Sequence, residues 1–320
     1  MGMTTLPLTV GEARASNGYV HDVMFWSRPE PFVRATVDFV RAGLSAHERV
    51  LVALPAPRLR AVRAALGDAA RHVDFADMEH LGANPARIIG AWVAFVTASG
   101  DHPSRGVGEP LWAGRSSVEV SECQLHEALL NDAVPATAPL WLRCPYEVSA
   151  LPTEVVDGAL HSHPWVAQDD GRARANEAYA GGELGAMGFA TPLPDPPAAS
   201  IVRTITHETL RSVRDLAAHV ARVCGVADER AEDLGLALHE LGVNSVVHGN
   251  GGTLRLWRTP DALVCEVRDH GVVADPLTGR LAPDDEEPDG RGLWMVNQLC
   301  DLVQLRSSDT GTTVRVHTWL

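Results

Sequence analysis

Along the first half of the chain, short apolar runs alternate with stretches whose apolar positions recur at helical spacing. Ser27-Arg28-Pro29-Glu30 supplies a capping residue, an early proline and an acid. Phe32, Thr36, Val37, Val40 and Leu44 then follow at helical spacing, so a helix starts there. Residues 50–54 are uninterruptedly apolar and stop at Pro55 and Pro57, the pattern of a buried strand. The same reasoning predicts helices over 59–66, 86–96 (capped by Asn84-Pro85) and 121–130, and strands over 73–75 and 139–146. Strands spaced by helices imply an α/β domain, a mostly parallel sheet with helices on its faces.

The pattern changes after Gln168. The segment AYAGGELGAMGFATPLPDPPAAS is rich in glycine, proline and alanine without sustained periodicity, and it predicts a linker. A second organised unit begins near Ile201: a strand over 201–205, helices over 210–223 and 229–248, and strands over 253–257 and 263–268. A helix after Gly292 and a strand over 312–318 complete an α+β unit. The organisation expected is a tail (1–18), an α/β domain (19–166), a linker (167–200) and an α+β domain (201–320), with no internal repeat.

Composition narrows the chemistry. All 27 basic side chains among the 320 residues are arginine, and no lysine occurs. A Schiff base on the protein, a G-x-x-x-x-G-K-[ST] phosphate loop and a lysine-dependent protein-kinase site are therefore excluded. The formal net charge of −14 disfavours direct nucleic-acid binding and favours a protein partner or a metal-bound nucleotide. Five scattered cysteines without C-x-x-C predict reduced thiols. With neither a signal-peptide pattern nor an apolar stretch of membrane-spanning length, a soluble, cytoplasmic protein is expected.

Three segments of the second unit carry candidate chemistry. Glu240 and Asn244 lie one helical turn apart, beside a core stripe of Leu234, Leu238, Leu241 and Ser245. An amide oxygen can ligate Mg²⁺ while a neighbouring carboxylate orients or deprotonates a hydroxyl nucleophile. Asp269-His270-Gly271 ends a strand in an acid that can accept from a purine amino group, with a glycine that permits close approach. Asp289-Gly290-Arg291-Gly292-Leu293 is a glycine-rich loop opening a helix, whose free amides suit a phosphate. Taken singly, each segment also fits a solvated helix face or an ordinary turn.

In their order and spacing these segments resemble the GHKL ATPase superfamily, and within it the anti-sigma-factor serine kinase branch, from about residue 204 onward. The resemblance implies a Bergerat-type ATPase sandwich that binds ATP with Mg²⁺. It implies Glu240 as general base toward a partner serine, Asn244 as the Mg²⁺ ligand, and Asp269 and Gly271 at adenine. Thr312 or Thr313 would be a supporting hydroxyl, and Gly290, Arg291, Gly292 and Leu293 the phosphate loop. Implied partners are an alternative sigma factor, which the domain sequesters, and an anti-anti-sigma protein of STAS type, whose serine it phosphorylates; homodimerisation is a further expectation. Two departures stand out. Val272-Val273 follow Gly271 where another glycine is common, and the expected nucleotide lid carries Asp284-Asp285-Glu286-Glu287.

Residues 19–166 resemble the MEDS sensory domain. The carriers are His21-Asp22-Val23-Met24-Phe25-Trp26, Gly43-Leu44, Glu48 to Val52, Gly108 to Trp112, His126-Glu127, Cys144-Pro145-Tyr146 and His163-Pro164. The resemblance implies a degenerate RecA-like fold that senses a small molecule or a partner. Cys123, His126, Cys144, His161 and His163 are candidate ligands for Zn²⁺ or haem iron, against the reading of a buried cysteine with local hydrogen-bonding histidines. Two alternatives to the kinase remain: a non-catalytic switch that binds its partner with or without nucleotide, and a histidine-kinase-like or diguanylate-regulating sensor. His207 would be the phosphoacceptor in the histidine-kinase case, although it sits at a strand–helix junction.

Overall fold

The structure, a computed structural model, describes residues 18–283 and 291–320. The described residues divide into two compact units, one of residues 18–82 and 91–184 and one of residues 83–90, 185–283 and 291–320.

The first unit is built on a seven-stranded sheet of order β3-β2-β4-β5-β1-β6-β7. The strands are β1 (Val20–Trp26), β2 (Arg49–Leu54), β3 (Asp74–Asp77), β4 (Ser104–Gly108), β5 (Leu140–Glu147), β6 (Trp165–Ala167) and β7 (Ala173–Ala175). All neighbours are parallel except β6 and β7. Around them lie α1 (Pro29–Ser45), α2 (Ala56–Leu66), α3 (Ala86–Ser99), α4 (Ser117–Ala133) and α5 (Thr153–Ser162). The predicted helices and strands of this half all occur. Helix α4 starts earlier than its periodicity indicates because Ser116 and Glu119 form a reciprocal capping box.

Four elements of this sheet had no sequence signal: β1, β4, β6 and β7. Strand β1 (VHDVMFW) and β4 (SRGVG) carry charged residues that turn out to be buried. The reason is pairing. Asp22 accepts from Arg143 at 2.9 and 2.8 Å and from Trp141 Nε1 at 2.8 Å. Arg105 Nε donates to Glu48 at 2.7 Å. Both guanidinium groups stack on the Phe39 ring, 4.4 and 4.1 Å from its centroid. A planar guanidinium can satisfy a carboxylate and lie on a ring at once, which an ammonium cannot. Burial pushes Arg105 down to about 10, with the nearby Arg143 adding to the effect.

The second unit is a five-stranded antiparallel sheet of order β11-β12-β10-β9-β8. Its strands are β8 (Ile201–Ile205), β9 (Gly252–Arg258), β10 (Ala262–Asp269), β11 (Leu302–Ser308) and β12 (Gly311–Trp319). Helix α6 (Glu183–Ala190) precedes them, and α7 (Leu210–Val223), α8 (Asp228–Gly249) and α9 (Arg291–Leu299) pack on the sheet. Alternate sheet residues, such as Leu254 and Leu256, Leu263, Cys265 and Val267, and Val314 and Val316, meet Ala217, Leu234, Leu238, Leu241 and Val296 of the helices in one core.

The segment 167–200, expected to be linker, is partly structured. Strand β7 pairs with β6, and α6 sends Phe189 into the core of the second unit. Three-residue strands and an eight-residue helix are too short to show periodicity. Among the described residues no helix is long and apolar enough to cross a membrane.

A candidate nucleotide site and a buried polar cluster

Helix α8 carries the first half of the site. Its apolar residues at 234, 238 and 241 are buried, and its first turn holds Asp228 and Glu229, which complement the helix dipole. It stops at Asn250, whose φ of 58° is left-handed. Burial of that stripe fixes the rotation of the helix and leaves Glu240 and Asn244 half-buried on the adjacent face. The first turn of α9 comes against this pair. A methyl group at Gly292 would lie 3.1 Å from Glu240 Oε2 and 3.6 to 3.7 Å from the Asn244 amide. Glycine at 292 therefore leaves open the space between a helix N-terminus and a carboxylate–amide pair.

Asp269 ends β10 and is held from three sides. Ser245 Oγ donates to its Oδ2 at 2.6 Å, and the Gly271 amide donates to its Oδ1 at 2.8 Å. Gly249, on the last turn of α8, has no room for a side chain: a Cβ there would come 2.6 Å from both Cβ and Cγ of Asp269. Each carboxylate oxygen keeps a second lone pair for an external donor. Thr312 lies opposite Asp269 across β12, and its hydroxyl donates to the Gly271 carbonyl at 2.8 Å and meets Ser307 Oγ at 2.8 Å. Thr313 is in register with Arg268 and Arg306 instead and lines a concavity with them.

The structure thus gathers Glu240, Asn244 and Gly292 along the C-terminal half of α8, and Asp269, Gly271 and Thr312 at its last turn. Adjacent residues Asn244 and Ser245 connect the two groups. Arg291 is exposed at the start of α9, and Leu293 points into the hydrophobic core. Gly290 and the acidic run Asp284-Asp285-Glu286-Glu287 lie outside the described residues. A concavity of about 780 Å³ also touches Asp269 and His270, but Arg255, Glu266 and Arg268 bound it and neither Glu240 nor Asn244 lines it. The chemistry-bearing face is the one toward α8 and α9. Sequence reasoning missed Ser245 as a functional side chain. The signal was there, a hydroxyl in an otherwise apolar stripe.

In the first unit, the five candidate metal ligands separate. Cys123 Sγ lies 3.4 Å from the Pro110 carbonyl, and burial pushes its thiol up to about 12. His126 Nδ1 meets the Glu122 carbonyl at 2.5 Å, and the exposed His161 bonds to the Asp157 carbonyl at 2.8 Å. These three are tied to their own helices or loops and do not converge. Cys144 and His163 do converge, with two partners that sequence spacing did not single out as ligands: His21 and Glu127.

Their donor atoms lie within 4.8 Å of one another, and all four residues are buried. His21 Nε2 is 3.3 Å from Cys144 Sγ and 3.6 Å from Glu127 Oε2, while His163 Nε2 is 2.9 Å from Glu127 Oε2. Burial pushes the Cys144 thiol well up, reinforced by Glu127, and pushes His163 toward its neutral form. Burial also works against charge on Glu127, but contacts from His163 and His21 outweigh it and hold the carboxyl below its usual range.

Residues 20–164 match the family described as MEDS, MEthanogen/methylotroph, DcmR Sensory domain. Residues 204–318 match the histidine kinase-like ATPase domain. Among solved structures the chain is similar to one of the RsbU and RsbW domains of Rv1364c from Mycobacterium tuberculosis. That similarity is 18% in identity, covers 38% of this chain and 32% of the other, and has a TM-score of 0.29. This chain therefore spans about a third of the solved one, and the likeness fixes neither fold nor function. No curated protein matches the chain.

Proposed function

We propose that this chain, which carries an N-terminal MEDS domain and a C-terminal histidine kinase-like ATPase domain, is an anti-sigma regulator. In this reading the ATPase domain binds ATP with Mg²⁺, sequesters an alternative sigma factor, and phosphorylates a serine of a STAS-type anti-anti-sigma partner. The MEDS domain, with a RecA-like arrangement of its parallel sheet, sets that activity in response to a small molecule or partner.

The observation that carries the reading is the convergence of Glu240 and Asn244 with the first turn of α9 at Gly292. The donor set fits the group it would serve. An amide oxygen is a hard ligand, and helix amides replace the lysine that the chain lacks. Bound Mg²⁺ would neutralise charge on the transferred phosphoryl group. Asn244 would hold it together with the nucleotide phosphates. Asp269, fixed by Ser245 and Gly271, would accept from the adenine amino group. Glu240 would accept the proton of the partner serine as its oxygen bonds to the γ-phosphorus and the β–γ bridging bond breaks.

The test is incubation of the full chain with ATP, Mg²⁺ and candidate STAS proteins, followed by detection of phosphoserine. Glu240→Ala is expected to lower transfer by about 10²-fold or more while nucleotide affinity holds, a typical loss for a general base. An unchanged rate in that variant removes Glu240 from the role. Nucleotide binding with no transfer to any STAS protein would favour the non-catalytic switch.

A further inference from the structure

The buried polar cluster of the first unit does not depend on the kinase reading, and its protonation pattern can be worked out from its surroundings. Asn131, one turn after Glu127 on α4, directs its NH₂ to three carbonyls: Ser162 at 2.7 Å and Glu127 and Ala128 at 3.3 Å. Its Oδ1 must therefore be the atom that meets His21 Nδ1 at 2.9 Å, and that ring nitrogen must carry the proton. His163 Nδ1 lies 2.8 Å from the Ala159 carbonyl, which can only accept, so it is protonated too. In each neutral imidazole the free lone pair is then on Nε2. Both Nε2 atoms face the Glu127 carboxylate, and His21 Nε2 also faces Cys144 Sγ.

Cys144, whose thiol keeps its proton, can donate to His21 Nε2, which leaves Glu127 Oε2 and His163 Nε2 as two buried electron-rich atoms facing each other. Glu127 Oε2 and His163 Nε2 have no hydrogen bond of acceptable geometry despite their 2.9 Å separation. Such an arrangement is costly unless a positive charge lies among them. An imidazole whose far nitrogen donates to a carbonyl or amide oxygen is also the usual preparation of a metal-binding histidine.

From this geometry we infer that His21, Glu127, Cys144 and His163 form a binding site for one divalent transition-metal ion, Zn²⁺ by its donor set. Two imidazoles, a carboxylate and a thiolate suit a borderline-soft, tetrahedral ion. Bonds of about 2.0–2.3 Å imply ligand separations of about 3.3–3.7 Å in a tetrahedron. Three of the separations, 2.9, 3.3 and 3.6 Å, approach those values and all lie within 4.8 Å, so side-chain adjustments of about an ångström complete the site. Four protein ligands leave no open position, which makes the site structural and not hydrolytic. It fastens β1, β5, α4 and the residue after α5 to one another.

The test uses the full chain with any affinity tag removed. Elemental analysis is expected to give close to one zinc per chain. After chelation, Co²⁺ should produce a thiolate-to-cobalt charge-transfer band with tetrahedral d–d bands. Cys144→Ser should abolish the charge-transfer band, whereas Cys224→Ser, at a half-buried thiol elsewhere, should leave it intact. Asn131→Leu, which removes no ligand, should weaken metal binding by about 10–100-fold. If Cys144→Ser does not fold, the wild-type cobalt spectrum decides alone. Metal content below about a tenth of an ion per chain, with no thiolate–cobalt band on addition of Co²⁺, would overturn the inference in favour of a proton-bridged cluster. So would an undiminished band in a folded Cys144→Ser variant.

Discussion

Gly249→Ala tests whether the end of α8 is shaped around Asp269. Alanine is the better helix former by about 1 kcal/mol, so a position judged on the helix alone would gain stability. Here the added methyl meets Asp269 Cβ and Cγ at 2.6 Å and Oδ1 at 2.7 Å, far inside contact distance. Asp269 cannot turn aside without stretching its bonds to Ser245 and Gly271. Hydrogen bonds to a charged group contribute about 1.5–3 kcal/mol each, and overpacking costs about 1–3 kcal/mol. With partial relaxation and the helix gain offsetting part of this, a net loss of about 2 kcal/mol is expected. That corresponds to a fall of about 8 °C in the melting of the second unit. Because the clash pushes the carboxylate out of place, affinity for an adenine nucleotide should fall as well. Denaturant titration followed at the second unit, with calorimetric nucleotide binding, reads both quantities. Stability equal to or above wild type, with unchanged affinity, would falsify the account of Asp269 as a fixed anchor. Gly292→Ala provides the contrast. Its methyl meets the tip of Glu240, not a pinned group, so nucleotide binding should weaken with little loss of stability.

Two further predictions concern stability. Asp22→Asn removes the charge that compensates Arg143 and should destabilise the first unit by about 3–5 kcal/mol, as expected for breaking a buried pair; thermal melting checks it. His317 is buried beside Arg315, and burial first, then that charge, lowers it to about 4. A folded value below the unfolded one of about 6.5 means that the unfolded chain takes up the proton first. Stability from this group is therefore fully present above about pH 6.5 and declines to about pH 4, by about 3 kcal/mol in all. His317→Gln should flatten that portion of the stability–pH curve measured by urea titration, and an unchanged slope would remove His317 from the account.

What could be seen in the linear chain was whatever depends on neighbours along it. Helix α8 was legible because burying Leu234, Leu238 and Leu241 on one stripe puts Glu240 and Asn244 together on another. Strand β2 was legible because residues 50–54 are apolar throughout, and β5 because Arg143 alone interrupts an apolar run up to Tyr146. The absence of lysine excluded whole classes of phosphate chemistry before any fold was known. Strand β1 was hidden because His21 and Asp22 look like solvent-facing residues until Asn131 and Arg143, more than a hundred positions away, are brought beside them. The choice between Thr312 and Thr313 waited for the register of β12 against β10, since a one-residue shift reverses the face of every side chain. The buried cluster likewise kept only Cys144 and His163 of the expected ligands and recruited His21 and Glu127 from other elements. Periodicity and composition act through local geometry and are written into the chain. Partnership between distant charged or polar groups is created only when the sheet and helices close around them.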